Sequence, residues 1–153
     1  MLRTLAVIMF ISLMGCNSTK QVSSSNQLLF SIEKGPCFGA CPEYKIEVFT
    51  NGEAHLKGIR NVEHVGAFKA QIPDSLLDEM KKSIGVMNIA ALDTNYVNKY
   101  LTDFPAVDLA FDISGERKRI HLFDESLPLE IQSVVDVITG CENRIKWNFS
   151  DQK

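Results

Sequence analysis

The chain turns and enters a strand at Gly35-Pro36-Cys37-Phe38-Gly39-Ala40-Cys41-Pro42-Glu43-Tyr44-Lys45-Ile46. Three residues separate the two cysteines, and one of them is glycine, so the chain can fold back far enough for a disulfide between Cys37 and Cys41. Closing so short a loop removes little entropy from the unfolded chain, and we expect it to stabilise the fold by roughly 2 kcal/mol. The predicted bond therefore matters mainly for geometry, because it sets how the strand at Tyr44 begins.

Two other interpretations compete with a structural disulfide. A thiol-redox pair needs Cys-x-x-Cys at a helix N-terminus, which lowers the thiol pKa, whereas here the spacing is one residue longer and an alternating strand follows Pro42. A copper or zinc site would use Cys37 and Cys41 as soft ligands, with His55, His64 or His121 completing the set. A histidine within reach of the two cysteines would favour the metal site.

The same stretch is similar to a known family. The string Cys37-Phe38-Gly39-Ala40-Cys41-Pro42-Glu43-Tyr44, with Asn51-Gly52 and Asp103-Phe104-Pro105 further on, resembles a bacterial envelope family known as domain of unknown function 6438. The resemblance extends from about Leu28 to Trp147. It implies a small α+β domain, often carried by lipoproteins, and brings no established activity.

The N-terminus has the pattern of a bacterial lipoprotein signal peptide. Arg3 supplies a positive charge, residues 5–14 form a short apolar run, and Leu13-Met14-Gly15-Cys16 has the pattern of a lipobox. The run is too short to span a bilayer. We therefore predict a signal peptide at 1–15 and lipidation of Cys16, whose two or three acyl chains, palmitate among them, anchor the protein to a membrane.

A polar tether follows the predicted lipidation site. Residues 16–27 are rich in serine and hold little to bury, which favours a flexible linker. Asn17 is not the aspartate that retains enterobacterial lipoproteins in the inner membrane, and no acidic run follows it. We expect the protein on the periplasmic face of the outer membrane.

Composition favours one globular domain, which we place at 28–149 with a tail at 150–153. Hydrophobic residues make up 45% of the chain, and removing Arg3 with the signal takes the formal net charge from −3 to −4. This balance argues against a nucleic-acid partner. Three cysteines remain beyond Cys16, so one is left without a partner in the chain. We expect Cys141 to be a buried free thiol.

Alternating residues predict the strands. Strands are expected at 28–33, around Tyr44-Ile46-Val48, after a two-residue type I′ turn at Asn51-Gly52, and around Phe68-Ala70-Ile72. Two more are expected around Val107–Ile113 and Ile120–Leu122. The segment 93–105 is interpreted as a long polar connection.

Two helices complete the predicted fold. The first begins near Asp74, a candidate N-cap, and ends or kinks at Gly85. The second begins after Pro128. Its apolar residues recur every three or four positions: Leu127, Ile131, Val134, Val135, Ile138, Cys141 and Ile145. We predict a two-layer α+β domain, with an antiparallel sheet of about six strands in the order ββββ-α-ββ-α and both helices on one face.

No enzyme signature is present. The sequence contains no nucleophile–base set, phosphate loop or dinucleotide fingerprint, so we expect no cofactor. A non-catalytic binding or envelope-structural domain is favoured, with an envelope protein or a small ligand as partner. The alternative is a metal-handling or thiol-redox protein that uses Cys37 and Cys41. The candidate ligand-binding residues are Asp103, in the long connection, and Arg119 and His121, on the open sheet face.

Overall fold

A computed structural model describes residues 26–113, 116–142 and 144–150, without the side chains of Ile113, Glu116, Ile138, Cys141 and Glu142. The predicted signal peptide and the predicted lipidation site, Cys16, lie outside this part of the chain. The strands are β1 (Leu28–Lys34), β2 (Glu43–Phe49), β3 (Glu53–Arg60), β4 (Gly66–Gln71), β5 (Asn95–Val97), β6 (Val107–Ile113), β7 (Glu116–Phe123) and β8 (Asn148–Phe149). The helices are α1 (Asp74–Gly85) and α2 (Leu129–Glu142), with a short 3-10 turn at Ile89–Ala91.

The strands form one mixed sheet in the order β5-β7-β6-β1-β2-β3-β4-β8. The α+β class is confirmed, whereas the prediction of about six antiparallel strands is wrong in detail. The segment 93–105 contains β5, which runs parallel to β7. Backbone hydrogen bonds from His121 N to Thr94 O and from Asn98 N to Phe123 O, both 2.8 Å, close the two ends of this pairing. The eighth strand, β8, pairs with β4 at the opposite edge.

One face of the sheet carries the core. Phe30 and Ile32 of β1 lie opposite Phe111 and Leu109 of β6, and all four are almost completely buried. Both helices join this core through the following residues: Leu76, Leu77, Met80 and Ile84 of α1, and Ile131 and Val134 of α2. The helices also contact each other. The other face is open and largely polar.

The β2–β3 hairpin closes through a three-residue loop. The Gly52 amide donates to the Phe49 carbonyl at 2.9 Å, and φ is positive at Gly52 (83°) but not at Asn51. A type I′ turn needs positive φ at both central residues, so the predicted two-residue turn is wrong. The geometry is that of a type I turn followed by a glycine bulge. The glycine is still required, because it carries the left-handed conformation.

Helix α1 ends at Gly85. Its start differs by one residue from the prediction, because an N-cap at Asp74 would make the next residue the first of the helix. Pro73 occupies the N-cap position and makes no side-chain capping bond, while Asp74 is the first helical residue. Its carboxylate still lies where the helix dipole favours negative charge.

The C-terminal segment returns to the sheet after α2. Ile145 is buried and Trp147 packs against the core. Phe149 lies outside the core: it is 66% exposed and stacks edge-on against Phe68, with ring centroids 5.3 Å apart. Within the described residues, no helix is both long and apolar enough to cross a membrane.

Candidate functional site

The predicted disulfide joins Cys37 to Cys41, with their Cα atoms 5.8 Å apart. Inside the loop, the Gly39 amide donates to Sγ of Cys37 at 3.3 Å. Before the loop, the Gly35 amide donates to the Ala106 carbonyl at 2.8 Å. The loop is therefore closed on itself and tied at its base to the chain that enters β6.

Asp103 holds the tip of this loop. Its Oδ1 accepts a 2.7 Å hydrogen bond from the backbone N–H of Phe38. The carboxylate thus acts as an intramolecular clamp between two segments that lie far apart in sequence. The clamp leaves the Phe38 side chain outside, where it is 93% exposed.

A shallow apolar cavity of about 360 Å³ lies beside Phe38. Phe104 and Phe123 form part of its wall and stack edge-on, with centroids 6.3 Å apart. We call this site the aromatic corner and define it by its lining residues: Pro36, Cys37, Phe38, Thr102, Asp103, Phe104 and Phe123. It combines three aromatic rings with a single carboxylate, that of Asp103, which already accepts the hydrogen bond from the Phe38 amide.

The three residues proposed from the sequence as ligand contacts do not meet in one site. Asp103 lines the aromatic corner, whereas Arg119 lines a different cavity on the open sheet face. His121 lies on β7 between Arg119 and Phe123, and its Nδ1 is 2.7 Å from Oδ1 of Asp108.

The proposed metal ligands are likewise not assembled. Cys37 and Cys41 are bonded to each other, and His121 is engaged with Asp108. Across the described ranges, no three His, Cys, Asp or Glu side chains are grouped so that they can hold a metal ion.

Sequence reasoning missed the importance of Phe38 and Phe104. A signal was available for Phe38: a side chain in a three-residue loop between bonded cysteines has no room to fold into a core. Phe104 had no comparable signal, because its contact with Phe123 depends on how the 98–106 segment crosses the end of β7.

Comparison with known proteins places the chain in a family. No curated protein and no solved structure matches it. One family, described as a domain of unknown function, matches residues 28–141, which is most of the chain and begins with β1. The chain therefore belongs to the family described as Domain of unknown function (DUF6438).

Proposed function

We propose that this protein is a membrane-anchored periplasmic lipoprotein whose domain binds an envelope protein through the aromatic corner, without catalysis. The observation that carries the proposal is the exposure of Phe38 on a loop held by a disulfide and by Asp103. A large aromatic side chain presented to water has no role in the stability of the isolated fold.

Two physical arguments support a binding role for the corner. Buried aromatic anchors carry much of the free energy at protein interfaces, and rings around a cavity accept such anchors from a partner. The disulfide and the Asp103 hydrogen bond also hold the loop in one arrangement before binding. Pre-organisation lowers the entropy lost when a partner docks.

The partner that fits this site is an apolar or aromatic segment of another protein. Three rings line the corner, and its one carboxylate is occupied by the Phe38 amide. A strongly charged ligand would find no free counter-charge among these lining residues.

The location is proposed from the lipobox and the serine-rich tether. The disulfide supports an oxidising compartment, because thiols in the cytosol are kept reduced. The metal-handling alternative gains no support, because the two sulfurs that would bind the metal are bonded to each other. The thiol-redox alternative gains none either, because a strand follows Pro42, whereas redox pairs use a helix N-terminus to lower the thiol pKa.

Site-specific photo-crosslinking tests the proposed surface. A photoreactive phenylalanine analogue replaces Phe38 in the full-length protein, expressed in its own envelope. A matched variant carries the analogue at Val86, which is 79% exposed after α1 and does not line the corner. We expect one discrete adduct at position 38, mapped to an apolar segment of the partner, and none at position 86. The adduct should be lost when Asp103→Ala is added.

Identical adducts at positions 38 and 86, or none at position 38, would overturn the corner as a docking site. The anchor has a separate test. Mass spectrometry of the N-terminal peptide should find a diacylated Cys16, and an unmodified N-terminus at another residue would contradict the lipoprotein assignment.

A further inference from the structure

A second cavity, of about 350 Å³, lies on the open face of the sheet, over β1 and β6. We call it the sheet-face cavity. Its lining residues are Leu28, Ser31, Glu33, Lys45, Glu47, Asp108, Leu109, Ala110, Arg117 and Arg119.

The strand register explains why the face is concave here. Ser31 lies directly opposite Ala110 on one side and Glu47 on the other, and Ala110 lies opposite Arg119. Two small side chains at the centre of the sheet are therefore flanked by two long ones. Because side chains on one face stand roughly perpendicular to the sheet, the small pair forms a floor and the long residues form walls.

Ser31 is a polar group that the fold itself does not use. It is only 8% exposed, yet its hydroxyl makes no hydrogen bond to any described residue. Buried hydroxyls normally have a partner. In the described ranges, every fully enclosed side-chain oxygen or nitrogen has a hydrogen-bond partner. The Ser31 oxygen has no such partner, so it is not fully enclosed and retains access to the cavity. A ligand on the floor would accept or donate the missing hydrogen bond.

One side of the cavity is positive. Arg117 and Arg119 are exposed and point from the same face of β7, two residues apart. Neither makes an ion pair with another described residue. The Cα atoms of residues two apart on a strand are separated by about 7 Å. The guanidinium groups of Arg117 and Arg119 therefore suit an anionic oxygen group, because each can bind a carboxylate through two parallel hydrogen bonds.

The adjoining end is negative. Glu33 and Asp108 lie directly opposite each other on β1 and β6, an arrangement that is destabilising for like charges. In the β1–β2 pair, Glu33 lies opposite Lys45, but Lys45 forms an ion pair with Glu47 at 2.8 Å. Asp108 already contacts Nδ1 of His121 through Oδ1 at 2.7 Å, whereas Glu33 makes no ion pair with another described residue. A cationic group between the Glu33 carboxylate and the second oxygen of Asp108, Oδ2, would relieve their repulsion.

From this charge pattern we infer that the sheet-face cavity binds a small zwitterion of the amino acid or short peptide class. The ligand's carboxylate would lie against Arg117 and Arg119, its ammonium group against Glu33 and Asp108, and its middle over Ser31. This site is separate from the aromatic corner and does not depend on it.

NMR titration of the full chain in detergent micelles tests the inference. The probes are three zwitterions of increasing length (glycine, β-alanine and glycylglycine), with acetate and methylamine as single-charge controls. We expect saturable shifts of the Ser31, Ala110 and Arg119 amides with at least one zwitterion, and at least tenfold weaker binding of either control.

Three variants locate the site. Arg119→Gln and Glu33→Gln should each weaken the zwitterion about tenfold or more, as expected for loss of one charge-assisted contact. Lys57→Gln, on the same face but outside the cavity, should leave binding unchanged. All three change exposed residues, so folding is preserved.

Several outcomes would overturn the inference. They are the absence of saturable shifts with all three zwitterions, acetate binding as tightly as they do, or an equal effect of Lys57→Gln. Phe38→Ala should not alter zwitterion binding, and Arg119→Gln should not alter the crosslink at position 38. Failure of one proposal is therefore distinguishable from failure of the other.

Discussion

The backbone N–H of Phe38 donates a 2.7 Å hydrogen bond to Oδ1 of Asp103, joining two loops that are 65 residues apart in sequence. This bond holds the tip of the disulfide loop, so it determines where the exposed Phe38 ring is presented.

Asp103→Ala should lower the free energy of unfolding by about 1 kcal/mol, because the bond is charge-assisted but solvent-exposed. Asp103→Asn should retain much of that stability, since an amide oxygen still accepts from Phe38. Urea titrations of the three proteins measure the difference. An equal loss in the Ala and Asn variants would show that Asp103 acts through its charge and not through this hydrogen bond.

The Cys37→Ser and Cys41→Ser double variant should lose roughly 2 kcal/mol and still fold, because the closed loop is short. Denaturant titration gives the magnitude, and non-reducing peptide mapping gives the pairing. We expect Cys141 to remain a free thiol, although its side chain lies outside the described part of the structure. A peptide that links Cys141 to Cys37 or Cys41 would contradict the pairing.

Helix α2 offers a matched pair for testing the core. Ile131 is 1% exposed, whereas Leu129, two residues earlier, is 81% exposed. Ile131→Ala should cost roughly 2–5 kcal/mol by leaving a cavity, and Leu129→Ala should stay within about 0.5 kcal/mol. Similar unfolding midpoints for the two variants in denaturant would mean that α2 packs a different face against the core.

Gly58 in β3 has no room for a side chain. A Cβ there would collide with the backbone carbonyl of His64 and lie 2.9 Å from Cγ2 of Val62. Gly58→Ala should therefore destabilise the fold by roughly 1–3 kcal/mol as the 61–65 turn is displaced. Gly85→Ala is the control, since its Cβ would meet no atom within 4 Å. It should be neutral or stabilising, and thermal melts of both variants decide between these outcomes.

Glu53 should contribute to the pH dependence of stability. A 2.7 Å contact with Nε2 of His55 holds the pKa of the Glu53 carboxyl below its ordinary value of 4.5, with smaller help from Asn26 and Lys69. A lowered folded-state pKa gives stability that is present above the unfolded value and is lost as the pH falls through the folded value.

Glu53→Gln should therefore be less stable than the parent at neutral pH, and the gap should close in acid. Urea titrations at neutral pH and below pH 4.5 measure it, with Glu63→Gln as an acidic control outside this network. A gap that is constant across the titration would show that the ionised carboxyl makes no net contribution.

The features that the sequence alone determined are those set by neighbours within a few residues. The Cys37–Cys41 bond follows from a spacing of four and a glycine between them. Alternation in 43–49 and 107–113, and the three-to-four spacing in 74–85, specify which side of each element is apolar. These patterns were sufficient for the α+β class and for the elements that form most of the sheet.

Turn geometry was only partly accessible in this way. Asn51-Gly52 correctly marks a hairpin, but the loop contains three residues and not two. Its length depends on where β2 and β3 stop pairing, which the two residues do not specify by themselves.

Only the tertiary structure decided the remaining features, because they depend on segments that meet after long loops have closed. Residues 95–97 carry too few apolar side chains to indicate a strand, and β5 forms because β7 offers a free edge. The floor of the sheet-face cavity needs Ser31 to lie opposite Ala110, almost eighty residues away. The clamp on Phe38 needs Asp103 to arrive from the far side of α1. No local spacing encodes such contacts, since they depend on the register in which the strands pair.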